Sequence, residues 1–447
     1  MSANHPQVEM LPLDALKPYE RNARTHPKAQ VKQLAAAIRR FGFTVPILID
    51  DENRILAGHG RLEAARQLAL TEVPCIRIGT MSEADKRAYV LADNRLAEKA
   101  GWNRTLLAEE LAFLVEEKFE VELTGFTIHE VDVILADAEA ASPVGADPKA
   151  DAVPAPGSGP PVTRRGDVWA LGRHRLICGD ARVASDYDAL MQGDVATMVF
   201  TDPPYNCPID GFVCGAGSVT HAEFAMAAGE MSVEAFTAFL TETLGAGAAH
   251  LKDGGLAYAC MDWRNVKNLI LAGESVFTDL KQICVWNKTN GGQGSFYRSK
   301  HELVCIFKKG TEPHTNTFGL GGAGGRYRTN VWDYAGVNTL KPGRMDELAM
   351  HPTVKPVALI ADAILDVTAR GEIVLDMFGG SGSTLIAAEK TGRTARLIEY
   401  EPGYCDVILR RFAAYSGIQP KLLATGETFE VTAERQQEGA PLDPVSA

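Results

Sequence analysis

Two short segments carry side chains that suit one piece of chemistry between them. Asp202-Pro203-Pro204-Tyr205 follows the apolar, β-branched run Val195 to Thr201, which reads as a buried strand. Asp376-Met377-Phe378-Gly379-Gly380-Ser381-Gly382 follows a second strand, Ile373-Val374-Leu375, and opens onto a helical run from Ser383 to Lys390. A strand that ends in a glycine-rich turn and feeds a helix is a nucleotide-cofactor cradle. The Asp-Pro-Pro-Tyr turn offers a carboxylate, stiff backbone carbonyls and an aromatic plate. That set suits an exocyclic amine on a flat ring, such as a nucleobase.

The elements around these turns supply further groups. Gly379-Gly380-Ser381-Gly382-Ser383-Thr384 lacks the third glycine of a dinucleotide fingerprint. Its small residues let a ligand approach the backbone, and Ser383 and Thr384 at the helix start suit a carboxylate. Thr394 to Ile398 reads as the next strand and ends in Glu399, an acid placed to accept both hydroxyls of a ribose, with Glu401 as the substitute. Arg173 to Cys178 reads as a strand running into the turn Gly179-Asp180. Pro356 opens a helix that runs to about Val367.

These segments resemble the motifs of the amino-group DNA methyltransferases. Phe378, Gly380 and Gly382 match the family's Phe-x-Gly-x-Gly, and Asp202-Pro203-Pro204-Tyr205 matches its catalytic motif without change. The catalytic motif comes first, as in the β group of that family, and the resemblance covers roughly residues 163 to 417. It implies S-adenosyl-L-methionine as cofactor, held by Asp376, Phe378, Gly380, Ser381, Gly382, Ser383, Thr384 and Glu399, with Asp180 near its adenine. His351-Pro352-Thr353-Val354-Lys355-Pro356 matches a segment beside the methionine end, which implies that Lys355 serves a carboxylate there. Trp286-Asn287-Lys288 and Lys300-His301-Glu302 resemble segments around the base pocket. Asp202 and the Pro203 carbonyl would take the two N–H groups of the amine and aim its lone pair at the methyl group. Tyr205 would stack on a base flipped out of the duplex.

The net charge of −12 argues against a DNA partner only if taken whole. Between Lys281 and Met345 ten bases face three acids, and phosphate binding follows local cationic density. Target recognition is therefore expected around 281–345, with Lys288, Arg298, Lys300, Arg326 and Arg328 on the DNA and Gly319 to Gly325 as a flexible loop. The eight cysteines show no C-x-x-C pair; Cys207 and Cys214 are the nearest two, and no metal site is expected. No apolar stretch is long enough for a membrane span and Met1 to Glu9 shows no signal-peptide core, so a cytoplasmic location is expected.

Residues 8–136 alternate strand and helix signals. They resemble the ParB N-terminal domain in Arg21-Asn22-Ala23-Arg24, in the Gly58 to Ala65 box and in Ala92 to Glu98. Gly58, Gly60 and Arg61 have the character of a phosphate site at a helix start. The family's Gly-Glu-Arg-Arg is here Gly58-His59-Gly60-Arg61, which leaves nucleotide binding open and hydrolysis in doubt. Residues 137–163, rich in Ala, Pro and Gly, read as a semi-extended linker without core-forming residues, and 427–447 as a loose polar tail. The expected fold is α/β: a smaller ParB-like domain, then a doubly wound, Rossmann-like methyltransferase sheet over 164–420. The expected function is adenine-N6 methylation of double-stranded DNA at a short target, as in restriction-modification. Cytosine-N4 methylation, a non-catalytic ParB-like DNA-binding protein, and protein or RNA amide methylation are the alternatives. The β group often pairs subunits, and nothing in the chain decides for or against a homodimer.

Overall fold

The computed structural model describes residues 7–79, 81–140, 149–155, 157, 159–207, 229–289, 291, 297–318, 328–335 and 354–438. The chain divides into two units, Met1–Ser142 and Pro143–Ala447.

In the first unit β1 (Val8–Pro12), α1 (Lys28–Phe41), β2 (Ile47–Ile49), β3 (Ile55–Ala57), α2 (His59–Gln67) and β4 (Glu72–Arg77) form the α/β part. The sheet order among the described residues is β1-β4-β2-β3, with β2 parallel to β4 and the other pairs antiparallel. Ile47, Ile49, Ile55, Leu62, Val73 and Cys75 close its core. The expected alternation of strands and helices ends there. Helices α3 (Glu83–Lys99), α4 (Arg104–Glu116) and α5 (Ile128–Ala140) follow without a strand. Leu111, Val121 and Val131 gather Leu107, Leu114, Phe126 and Ile134 into a separate small core. Residues 103–140 are thus a helical module, which the reading of 8–136 as one α/β domain did not separate.

The second unit is built on a mixed sheet. Its strands are β5 (Val168–Leu171), β6 (His174–Cys178), β7 (Ala196–Thr201), β8 (Leu251–Met261), β9 (Asp279–Asn287), β10 (His301–Lys308), β11 (Val331–Asp333), β12 (Ile373–Asp376), β13 (Thr394–Glu399) and β14 (Lys421–Leu422). The order is β11-β9-β10-β8-β7-β12-β13-β6-β5-β14, in which β8-β7-β12-β13-β6 run parallel. Because side chains alternate along a strand, neighbouring residues feed opposite faces. Leu176, Phe200, Val374 and Leu397 enter one core, with α9 (Val357–Val367), α10 (Ser383–Thr391) and α11 (Pro402–Ser416). Ile177, Val199, Leu375 and Ile398 enter the other, with α6 (Ala184–Met191), α7 (Val233–Ala249) and α8 (Val266–Val276). Both faces are covered, as parallel strands require.

The order in which strands are added reverses between the parallel neighbours β7 and β12. From β7 the chain passes outward to β8, and from β12 it passes the other way to β13. Such a switch point opens a crevice at the carboxyl ends of the two strands, the usual ligand site of a doubly wound sheet. Asp202 directly follows β7, and the glycine turn directly follows β12.

Two expectations are corrected here. The segment 149–163 is docked and is no free linker. The Ala150 carbonyl accepts from Arg411 at 2.7 Å, Asp151 accepts from the Val357 N–H at 2.9 Å, and Asp406 accepts from the Val162 and Thr163 N–H groups at 2.8 and 3.0 Å. Backbone groups and the Asp151 side chain do most of the anchoring, with Ala150 and Val162 buried in the core, so a count of large apolar residues missed it. The C-terminal segment is likewise no loose tail over 429–438. It forms α12 (Phe429–Glu438), with Phe429 buried 5.7 Å from the Trp169 ring and Gln436 donating to the Val162 carbonyl at 2.7 Å. Residues 439–447 lie outside the described residues.

A chain beginning at Pro143 should fold as a stable catalytic unit. One beginning at Arg164 leaves Asp406 without two donors and Arg411 without one acceptor, and should lose about 3 kcal/mol or more. Thermal unfolding of the two truncations side by side tests this; equal midpoints would mean that the strap contributes nothing.

Candidate active site

The Asp202 turn is held from three sides. Asn206 takes a left-handed backbone conformation, φ +53°, and its side chain closes on the N–H groups of Gly229 and Met231 at 3.1 and 3.2 Å. Asn265, at the start of α8, donates to the Tyr205 carbonyl at 2.6 Å. Lys355, just before α9, places its ammonium 2.5 Å from Asp202 Oδ2.

Lys355 does more than meet Asp202. Its Nζ also lies 3.0 Å from Glu302 Oε2 and 3.1 Å from the Tyr205 hydroxyl. The Tyr205 hydroxyl donates to Asp202 Oδ1 at 2.6 Å and has Glu302 Oε2 at 3.1 Å as its second acceptor. Glu302 Oε1 pairs with Lys288, whose ammonium sits 4.5 Å over the Trp286 ring. Two carboxylates, two ammonium groups and a phenol thus form one network drawn from β7, β9, β10 and the approach to α9. Burial pushes Asp202 above the usual carboxylate range; Lys355 opposes this and Glu302 adds to it. Burial also works against the charge of Glu302, but Lys355 and Lys288 outweigh it and hold Glu302 down at about 2. Burial works against the charge of Lys355 as well, and Asp202 and Glu302 keep it protonated.

The cradle lies beside this network. Gly380 and Gly382 have φ +52° and +82°, and a Cβ on Gly382 would stand 3.1 Å from Ile408 of α11. Asp376 accepts from the Thr384 hydroxyl at 2.6 Å and from the Phe378 N–H at 3.1 Å. Glu399 accepts from the Gly380 N–H at 2.7 Å and the Glu401 N–H at 2.8 Å. Burial pushes both carboxyls up to about 7. Among the described residues no lysine or arginine pairs with either one. A ligand that brings positive charge and hydroxyl donors is what two such groups lack. Beneath the turn, Arg411 donates to the Ser381 carbonyl at 2.8 Å and to the Ser381 and Ser383 hydroxyls at 3.2 Å each. Burial pulls this guanidinium down to about 10.

Several expected roles change with these contacts. Lys355 faces Asp202 and Glu302 and does not stand free for a cofactor carboxylate, because two buried carboxylates demand a cation. Lys288 and Arg328 are not free for DNA. Lys288 is committed to Glu302, and Arg328 pairs with Asp366 at 2.7 Å, donates to the Tyr334 hydroxyl at 2.9 Å and covers Trp332. Thr384 serves Asp376, and Ser381 and Ser383 serve Arg411. Asp180, at the end of β6, is held by Arg182 at 2.7 Å, which lowers its pKa. Arg298 and Lys300 are exposed, whereas Arg326, the 319–325 stretch, residues 351–353 and Cys214 lie outside the described residues. In the first unit Gly58 has φ +107° and caps α2, and the inaccessible Nε of half-buried Arg61 has no partner among the described residues. His59 accepts from the Tyr19 N–H at 3.1 Å, a structural bond. Glu302, Asn265 and Arg411 carry roles that had not been assigned. The signal for Glu302 was an acid opening the otherwise apolar run Leu303 to Phe307.

Residues 196–410 match the DNA methylase family model of N6/N4 type, beginning at the first residue of β7. This unit is a DNA methylase domain. Residues 1–95 of the methyltransferase match the ParB N-terminal domain, and residues 105–165 match the ParB-methyltransferase HTH domain, which agrees with the helical module of 103–140. The methyltransferase is 26% identical over 287 residues to the DNA adenine methyltransferase YhdJ of Escherichia coli (strain K12), covering 56% of this chain and 91% of that one. Its N-terminal part is 46% identical over 76 residues to the ParB-like nuclease domain-containing protein YnaK of the same strain, covering 17% of this chain and 87% of that one. Among solved structures, PvuII DNA methyltransferase (cytosine-N4-specific) is similar at 16% identity and a TM-score of 0.41, covering 65% of this chain and 99% of that one. No helix among the described residues is long and apolar enough to cross a membrane.

The raised carboxyls give the ligand-free methyltransferase a pH signature. Between about pH 4.5 and 7 the folded chain keeps protons on Asp376 and Glu399 that the unfolded chain has released, so stability falls as pH rises through that window. The contribution of Glu399 should be about 3 kcal/mol between the two ends. Unfolding of the catalytic unit at pH 5 and pH 8 should show the decline, and Glu399→Gln should reduce it by about half, leaving the share of Asp376. An identical decline in that variant would place the titrating group elsewhere.

Proposed function

We propose that this DNA methyltransferase transfers the methyl group of S-adenosyl-L-methionine to the N6 amine of adenine in double-stranded DNA at a short target sequence. The observation that carries this is the Asp202-Pro203-Pro204-Tyr205 turn at the end of β7, set against the glycine turn of β12 across the switch point. The relative named as a DNA adenine methyltransferase supports the choice of adenine, as does Asp at the head of the motif.

The cradle residues fit the cofactor. Glu399 would take the ribose hydroxyls, the Phe378 to Gly382 turn would lie along the backbone side, and Asp376 adds negative charge beside a sulfonium. When bound, the cofactor supplies an electrophilic methyl group. The chain's own residues prepare the nucleophile. The adenine amine is a poor one because its lone pair is spread into the ring. Asp202 and the Pro203 carbonyl, each accepting one N–H, favour a pyramidal nitrogen whose lone pair points at the methyl carbon. Once the nitrogen had taken the methyl group from the sulfonium, it would carry one proton too many. Asp202 is the acceptor within reach. The base is out of reach inside a duplex and must be flipped.

In the N-terminal unit, Gly58, Gly60 and Arg61 would hold the phosphate of a nucleotide, since the partnerless Arg61 Nε at a helix start suits an anion. The ParB-type and HTH domains would add DNA affinity.

Asp202→Ala should lower turnover by about 10²- to 10³-fold or more while leaving affinity for S-adenosylhomocysteine nearly unchanged. Full turnover in that variant would remove Asp202 from the mechanism. Duplex DNA treated with wild-type enzyme and digested to nucleosides identifies the product by mass. N6-methyldeoxyadenosine is expected; N4-methyldeoxycytidine would move the assignment to cytosine.

A further inference from the structure

We infer that Lys355 is a positioning residue that keeps Asp202 an anion in the free enzyme and passes to Glu302 when the target amine takes its place. This rests on the assignment of Asp202 as the acceptor of the amine.

Both oxygens of Asp202 are capped. Oδ2 holds Lys355 at 2.5 Å and Oδ1 holds the Tyr205 hydroxyl at 2.6 Å. An incoming N–H competes with them for the lone pairs of that carboxylate. Each cap already has a second acceptor, and it is the same atom: Glu302 Oε2 lies 3.0 Å from Lys355 Nζ and 3.1 Å from the Tyr205 hydroxyl. A small movement of the Tyr205 hydroxyl exchanges one acceptor for another without leaving its single donor unmatched, and a Lys355 that lets go of Asp202 keeps Glu302 and Tyr205 as acceptors.

Donor counting excludes the role beside the cofactor. An ammonium has three N–H donors. Those of Lys355 face Asp202, Glu302 and Tyr205, and none is left for a cofactor carboxylate. Its shape also fits. Three oxygens on three separate residues suit a point charge on a flexible stem better than the planar fork of an arginine.

Charge counting gives Glu302 and Lys288 their place. Asp202 and Glu302 are balanced by Lys355 and Lys288, a neutral quartet in a buried site. The other titratable groups facing it are Cys260 of β8, whose thiol burial holds protonated, and Asp376 of β12, pushed up to about 7. Neither adds a cation. Lys355 is therefore the one ammonium among the described residues in contact with Asp202, and Lys288 keeps Glu302 ionised to receive it.

The test uses the full-length protein, duplex DNA, and the pH dependence of single-turnover methyl transfer. Lys355→Met should bind S-adenosylhomocysteine within about threefold of wild type, lose about 30-fold or more in rate at pH 7, and show its acid limb about one unit higher. The double variant Lys355→Met with Glu302→Gln should bring the limb back down, because the second negative charge is gone. Glu302→Gln alone should move the limb about one unit lower and reduce the plateau about tenfold, since Lys355 then has no second carboxylate. If Lys355→Met fails to fold, the single Glu302 variant decides the matter. Cofactor-product affinity weakened about tenfold with an unmoved limb would overturn the inference and return Lys355 to the cofactor. An unmoved limb and plateau in Glu302→Gln would overturn it as well. Full activity of Asp202→Ala would instead sink the assignment on which the inference rests, whatever the lysine variants do.

Discussion

A carboxylate proposed to accept an N–H from a flat, uncharged base has to be shielded from water and yet stay ionised. Asp202 is subject to that constraint, and its ion pair with Lys355 is how the fold meets it. The two residues lie 153 positions apart. Everything between them must return the chain to one point at the carboxyl edge of the sheet. Strand β8 turns back through α8, so that Asn265 fixes the catalytic turn from behind. Strands β9 and β10 form an antiparallel pair that brings Lys288 and Glu302 to the same edge, and Trp286 covers them. The approach to α9 then delivers Lys355 beside them. A buried ion pair is weak evidence for stability, because desolvation cancels much of the attraction. Here its value lies in the protonation state it imposes.

The cofactor cradle shows the complementary arrangement. Asp376 and Glu399 are buried without a cation among the described residues, and both are pushed towards neutrality. Asp202 has its counter-charge built in, whereas Asp376 and Glu399 would leave theirs to a ligand. The two sites are turns on adjacent parallel strands, so a ligand that ionises one pair of acids arrives beside the acid that already has its lysine. Arg411 supports the cradle from below through hydroxyls and carbonyls only, which keeps positive charge away from the ligand side.

Much of this was legible in the chain because parallel strands and glycine turns are local signals. Val195 to Thr201, Ile373 to Leu375 and Thr394 to Ile398 read correctly as strands, since each is a short β-branched run closed by a turn residue. The motif residues fell where a switch point needs them. The basic residues were harder. Ten bases between 281 and 345 look alike in sequence, yet Lys288 and Arg328 face inward to Glu302 and Asp366. A charged residue on a strand is read as exposed unless its partner is known, and those partners lie 14 and 38 positions away. The segment 149–163 failed to read for a different reason. It docks mainly through a backbone carbonyl, two N–H groups and one carboxylate, whose partners lie 206 residues or more away and which composition does not reveal.

That docking gives the segment a position that a flexible tether would not have. The Ala150 carbonyl holds Arg411, which holds the Ser381 carbonyl and the hydroxyls of Ser381 and Ser383 in the cofactor turn. One residue on, the Asp151 side chain caps the Val357 N–H, two residues beyond Lys355. One short stretch therefore touches the support of the cradle and the helix start that follows Lys355. Residues 105–165 match an HTH family that runs into this same stretch. Loss of this stretch would therefore disturb both turns at once, through Arg411 beneath the cradle and through the Val357 N–H beside Lys355.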